Sequence, residues 1–172
     1  MRKLNQSVLA GLAATTLLCA ASGARADDDR NSFKARLIGF QETPAISSTG
    51  RGEFTARVRG DEIDWELTYE GLEGTPTTAA HVHFGQTSVA GGVSFFLCGG
   101  GGRPACTPTS GNFSGTATAA DIIGPTPQGI APTEIAELIR AMRAGKTYAN
   151  VHTGKHPGGE IRGQLRAHGE DD

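Results

Sequence analysis

Beyond residue 26 the chain has no apolar run long enough to cross a membrane as a helix. It has no basic excess either. Its 16 Lys and Arg stand against 18 Asp and Glu, which argues against a nucleic-acid partner. No Gly-x-Ser-x-Gly elbow is present, so the serines carry no hydrolase signature. The four glycines at 99–102 lack the Lys-Ser/Thr pair of a phosphate loop. No internal repeat and no second domain is visible. Tryptophan occurs once, cysteine three times and histidine five times, and no histidine lies between His83 and His152.

What is present begins with a targeting segment. Arg2 and Lys3 precede an apolar stretch over 8–21, and Ala24-Arg25-Ala26 is an A-x-A cleavage site followed by three aspartates. A signal peptide over 1–26 is expected, with cleavage after Ala26 and a secreted or periplasmic product. A lipid anchor at Cys19 is the alternative, but Leu18 is bulky where such signals need a small residue. Residues 27–172 are then expected to form one domain, at a size that buries about 68–70% of the unfolded surface. Without Arg2, Lys3 and Arg25 this product is more acidic than the −2 of the full chain.

Cys98 and Cys106 remain in the exported part. An even pair in an oxidising compartment reads as a disulfide closing the glycine-rich loop between them. A thiol metal site is the rival, and the seven-residue spacing does not suit it.

The chain is rich in short alternating segments. Phe33, Ala35 and Leu37 alternate with Lys34 and Arg36; Phe54, Ala56 and Val58 with charged or polar residues. Ile63, Trp65, Leu67 and Tyr69 make the strongest strand pattern, after a Gly60-Asp61 hairpin signal. Residues 93–97 read as a strand buried on both faces, 112–118 as a weaker strand, and 148–152 and 160–166 as the last two. One helix is expected near residues 133–144, where Ile135, Leu138, Ile139 and Met142 form one stripe ahead of Gly145. These patterns predict an all-β protein, an antiparallel β-sandwich or flattened barrel with one short helix.

The chemistry concentrates in two places. His81 and His83 stand one residue apart in a strand and so share a face. The second stretch carries Asn150, His152, His156 and Glu160. If the two stretches meet, His81, His83 and His152 offer three nitrogen ligands to copper or zinc, with His156 as a fourth. Asn150 or Glu160 would hold a ring nitrogen from behind. The plainer reading is that these histidines hydrogen-bond to backbone, Thr153 or Glu160 and fix strand pairing. Glu160 and Arg162 share a strand face and are expected to form an ion pair.

Several motifs occur together in order: Gly39-x-Gln41-Glu42-Thr43-Pro44, Leu67-x-Tyr69-x-Gly71-Leu72, Ala80-His81-Val82-His83-x-Gly85, Tyr148-Ala149-Asn150-Val151-His152-Thr153, and Gly159-Glu160-Ile161-Arg162-Gly163-Gln164-Leu165. In these the chain resembles the CHRD domain, the module named from chordin and found also in exported bacterial proteins. The resemblance implies an extracytoplasmic β domain and supplies no settled biochemical role for bacterial members; the leading reading is a non-enzymatic, exported binding or structural module for an extracytoplasmic ligand or protein. Chordin binds growth factors, but nothing in this chain carries that partner over. The His81-Val82-His83 strand also looks like the copper strand of Cu,Zn superoxide dismutases, which gives a copper oxidoreductase as the alternative function. The histidine-rich zinc loop of those enzymes has no counterpart here.

Overall fold

The computed structural model describes residues 30–168. The expected leader over 1–26, Cys19 and the last four residues lie outside them. Among the described residues, no helix is long and apolar enough to cross a membrane.

Nine strands form one antiparallel sheet: β1 (Ser32–Ile38), β2 (Arg51–Arg59), β3 (Glu62–Glu70), β4 (Thr77–Phe84), β5 (Gly92–Cys98), β6 (Gly111–Ala117), β7 (Thr147–Thr153), β8 (Ile161–Gln164) and β9 (Arg166–Ala167). The order is β5-β4-β7-β8-β1-β2-β3-β6, with β9 paired to β1. The two end strands, β5 and β6, lie against each other, so the sheet curls into a nearly closed, flattened barrel. This is the flattened-barrel form of the expected architecture.

Alternation decides which side chains enter. Phe33, Ala35 and Leu37 on β1, Phe54, Ala56 and Val58 on β2, and Ile63, Trp65, Leu67 and Tyr69 on β3 are all buried. Their neighbours face water and pair across strands, as Lys34 with Glu53 and Arg51 with Glu70 do. Gly60 turns the β2–β3 hairpin with φ of 62°. Helix α1 (Ile135–Arg143) buries Ile135, Leu138, Ile139 and Met142 as its stripe predicts, and Gly145 caps it in the left-handed region.

The strands expected at 93–97, 112–118 and 148–152 shift their ends by one residue, and two larger boundary differences have a visible cause. The helix starts two residues late, because Thr133 has φ of 72° and its amide donates to the Ile122 carbonyl. The last strand is broken at Leu165, whose amide turns to the Thr147 carbonyl; beyond it, Arg166 and Ala167 pair with β1.

Cys98 and Cys106 are disulfide-bonded. The ring they close brings Gly100 and Gly101 directly onto the Phe96 ring, where a β-carbon would sit 2.4 and 2.8 Å from its atoms. Removing the bond by Cys98→Ser with Cys106→Ser is expected to cost about 2.5 kcal/mol by loop entropy. Denaturant melts of the two proteins test this; an unchanged midpoint would show that the loop is held without the staple.

Candidate metal centre

The strands β5, β4, β7 and β8 have an outer face that is not given to water. Along β4, Ala80 and Val82 point into the core, so His81 and His83 point out; yet they are 9% and 6% exposed. Along β7, Ala149 and Val151 are the core residues, and Tyr148, Asn150 and His152 point out. Register sets these rows side by side: His83 opposite Tyr148, His81 opposite Asn150, Ala79 opposite His152. The next strand adds Arg162 opposite Asn150 and Gln164 opposite Tyr148.

The three imidazoles meet there. Ring centroids are 5.4 Å apart for His81 and His83, 4.8 Å for His81 and His152, and 6.1 Å for His83 and His152. One ring nitrogen from each lies within 4.8 Å of the other two. His83 Nδ1 is 2.9 Å from the Gly91 carbonyl. A carbonyl only accepts, so this nitrogen carries the hydrogen and Nε2 keeps its lone pair. By the same reasoning His152 Nδ1–H donates to the Pro157 carbonyl; Nε2 then accepts, and its 2.9 Å contact with the Asn150 Oδ1 position is a hydrogen bond when the amide is turned so that its NH2 group donates to the ring. His83 Nε2 and His81 Nδ1 are buried and have no hydrogen-bond partner.

The electrostatics keep the rings neutral. Burial pulls His81 down to about 3, with the His152 and His83 rings adding to it. Burial pulls His83 down to about 4 against the opposing pull of the Gly91 carbonyl. His152 is lowered too, chiefly by burial. Neutral imidazole is the form that binds metals.

Around the three rings stands an aromatic and polar wall. Phe96 meets His81 edge-on at 4.5 Å, and Tyr148 stacks on His83 at 4.7 Å. The Arg162 guanidinium lies 3.4 Å over the Tyr148 ring and donates to the carbonyls of Gln86 and Val89, tying the β4–β5 loop down. Glu42 is buried beside Arg162 with Oε1 unpartnered, and burial pushes its carboxyl up to about 7 despite Arg162.

Residues 33–165 match the family model of the CHRD domain. The chain belongs to the CHRD family. No curated protein and no solved structure matches it. The matched span of this CHRD domain contains every residue of the histidine group and its wall.

Of the residues singled out from sequence, the fold brings His81, His83, His152 and Asn150 together. It does not bring His156 into that group; its ring Nε2 is buried elsewhere without a partner. Glu160 is also elsewhere. Its carboxylate accepts from Ser48 Oγ, the amides of Glu73 and Gly74, and Thr153 Oγ1, at 2.7–3.0 Å. It holds no histidine ring and forms no ion pair with Arg162. Glu160 stands just ahead of β8, its amide on the Val151 carbonyl, and its carboxylate is taken up by donors from Ser48, Glu73, Gly74 and Thr153.

Sequence reasoning missed Tyr148, Arg162, Gln164 and Glu42. The first three share strand parity with Asn150 or with each other, so a stricter use of alternation would have found them. Glu42 sits in a loop, where no periodicity points to it.

Proposed function

We propose that this CHRD domain is an exported metal-binding module whose ligands are His81, His83 and His152. The observation that carries this is the pair of buried, unpartnered ring nitrogens, His81 Nδ1 and His83 Nε2, in one cluster with His152. A buried polar atom without a partner costs about 1–3 kcal/mol, and two in one cluster call for a ligand that satisfies both. The backbone carbonyls of Gly91 and Pro157 orient the His83 and His152 rings, as carbonyls behind metal-bound histidines do. His156 is not among the ligands in this reading. Export rests on the leader over 1–26 and on the disulfide, which suits an oxidising compartment. Residues 27–172 form the working domain.

Calorimetric titration with Cu²⁺ or Zn²⁺ is expected to find one ion per chain. His83→Ala should weaken binding by roughly 100-fold or more, while His156→Ala should leave it unchanged. Equal affinity for the wild type and His83→Ala would reduce the cluster to a structural one.

A further inference from the structure

The hydrogen bonds around His152 have a fixed direction. Its Nδ1 donates to the Pro157 carbonyl, so Nε2 offers a lone pair. Asn150 meets that lone pair at 2.9 Å with one end of its side-chain amide, and only the NH2 end can serve there. The carbonyl end is left for the Glu42 carboxyl, to which the Asn150 side chain also hydrogen-bonds. A carbonyl only accepts, so Glu42 has to donate, and a carboxyl donates only when protonated. Its surroundings favour that form. Glu42 is 8% exposed, its Oε1 has no donor, and burial pushes the carboxyl up to about 7. The charged and titratable groups that face it are Arg162 from β8 and Tyr148 from β7. The metal-free arrangement is thus satisfied from end to end: a neutral Glu42 donates to Asn150, and Asn150 covers the free nitrogen of His152.

Building on the three histidines as ligands, we infer that Asn150 is a positioning residue that couples metal uptake at His152 to the release of one proton from Glu42. An ion bound at His152 takes the lone pair that the Asn150 NH2 group occupies. With its acceptor gone, the amide turns over and points NH2 at Glu42. The partner that suits a donor is the carboxylate, so the Glu42 O–H bond breaks and the proton leaves to solvent. The carboxylate then accepts from Asn150 and from the Thr43 amide, beside the Arg162 guanidinium. Metal-free and metal-loaded protein each have a complete set of partners, and they differ by one half-turn of an amide and one proton. His81 Nδ1 and His83 Nε2 carry no such cover, so the coupling runs through His152 alone.

The test mixes the full exported protein with Zn²⁺ in unbuffered salt solution and counts the protons set free by back-titration with base. Protons from the rings or from water on the ion are common to wild type and Glu42→Gln, whose amide fills the same space and can meet either end of Asn150. At pH 6.0 wild type is expected to release about one proton per ion more than Glu42→Gln, and the difference should vanish by about pH 8.5, where Glu42 is already ionised. The same linkage should lower the zinc affinity of wild type by about eightfold from pH 6.5 to 5.5, with little change in Glu42→Gln. Asn150→Ala, where it folds, should bind zinc and release no more protons than Glu42→Gln. Equal release from zinc-loaded wild type and Glu42→Gln would overturn the inference and leave the metal site standing. Full release from Asn150→Ala would overturn it too, because the coupling would then bypass the amide. Failure of wild type to bind zinc would overturn the site itself, and the inference with it.

Discussion

Glu160→Ala is expected to destabilise the protein by about 3–5 kcal/mol, the range for breaking a buried, charge-assisted network. Glu160 is fully buried, and its two oxygens take four hydrogen bonds. The donors come from three places in the chain: Ser48 ahead of β2, the amides of Glu73 and Gly74 after β3, and Thr153 at the end of β7. The carboxylate therefore ties two loops to the β7–β8 turn. Burial alone would push its carboxyl up, but the bonds from Glu73, Ser48, Thr153 and Gly74 together hold it below the usual range. Alanine removes the acceptor and leaves two backbone amides unpaired in a dry site, each costing about 1–3 kcal/mol. For a chain of this size the melting temperature should fall by roughly 10 °C or more. Glu160→Gln should lose less, since one oxygen still accepts while the new amide group faces donors. Neither change should alter metal affinity in the folded protein, because no bond joins Glu160 to a histidine. A melt within two degrees of wild type for Glu160→Ala would remove the network from the stability account.

That residue also shows where sequence reasoning reaches its limit. The flattened barrel was legible because period-two alternation is local: Phe54, Trp65 and Val151 each announce their face without reference to any other strand. The meeting of His81 and His83 with His152 was legible in part. Parity put each on an outer face, but only the β4–β7 pairing, with His81 opposite Asn150, sets the distance. Glu160 was misplaced because the donors that hold it, Ser48 and the amides of Glu73 and Gly74, lie 86 to 112 residues away in the chain, where no local pattern points to them. The burial of the outer face was not legible at all. His81, Arg162 and Gln164 alternate with core residues, as solvent-facing ones do. The loops carrying Glu42, Gln86 and Gly91 cover that face through contacts far apart in sequence.

The covered face makes stability depend on pH in a direction that can be worked out. In the unfolded chain His81 and His83 titrate near 6.5; in the folded, metal-free protein burial holds them at about 3 and about 4. Below pH 6.5 the unfolded state therefore takes up protons that the folded state refuses. The stability these rings contribute is complete above pH 6.5 and is lost as pH falls toward their folded values, at about 1.4 kcal/mol per pH unit for each ring. Glu42 acts in the opposite sense. Its folded value of about 7 lies above 4.5, so it favours the folded state at low pH, and that contribution is lost as pH rises to about 7. Between pH 6.5 and 4.5 two histidines oppose one glutamate, and the lowered His152 adds to the histidine side. His81 and His83 against Glu42 leave about one proton before His152 is counted, so the metal-free protein should lose at least about 2–3 kcal/mol across that window. Thermal melts at pH 6.5, 5.5 and 4.5 in the presence of a chelator measure it, with an expected fall of roughly 5–10 °C. Glu42→Gln removes the opposing group and should make the fall about twice as steep. A bound ion holds the same lone pairs and the unfolded chain still takes up the protons, so metal-loaded protein should show at least a similar slope from a higher melting temperature. A chelated wild type whose melting temperature is the same at pH 6.5 and 4.5 would mean that the rings reach water in the folded state.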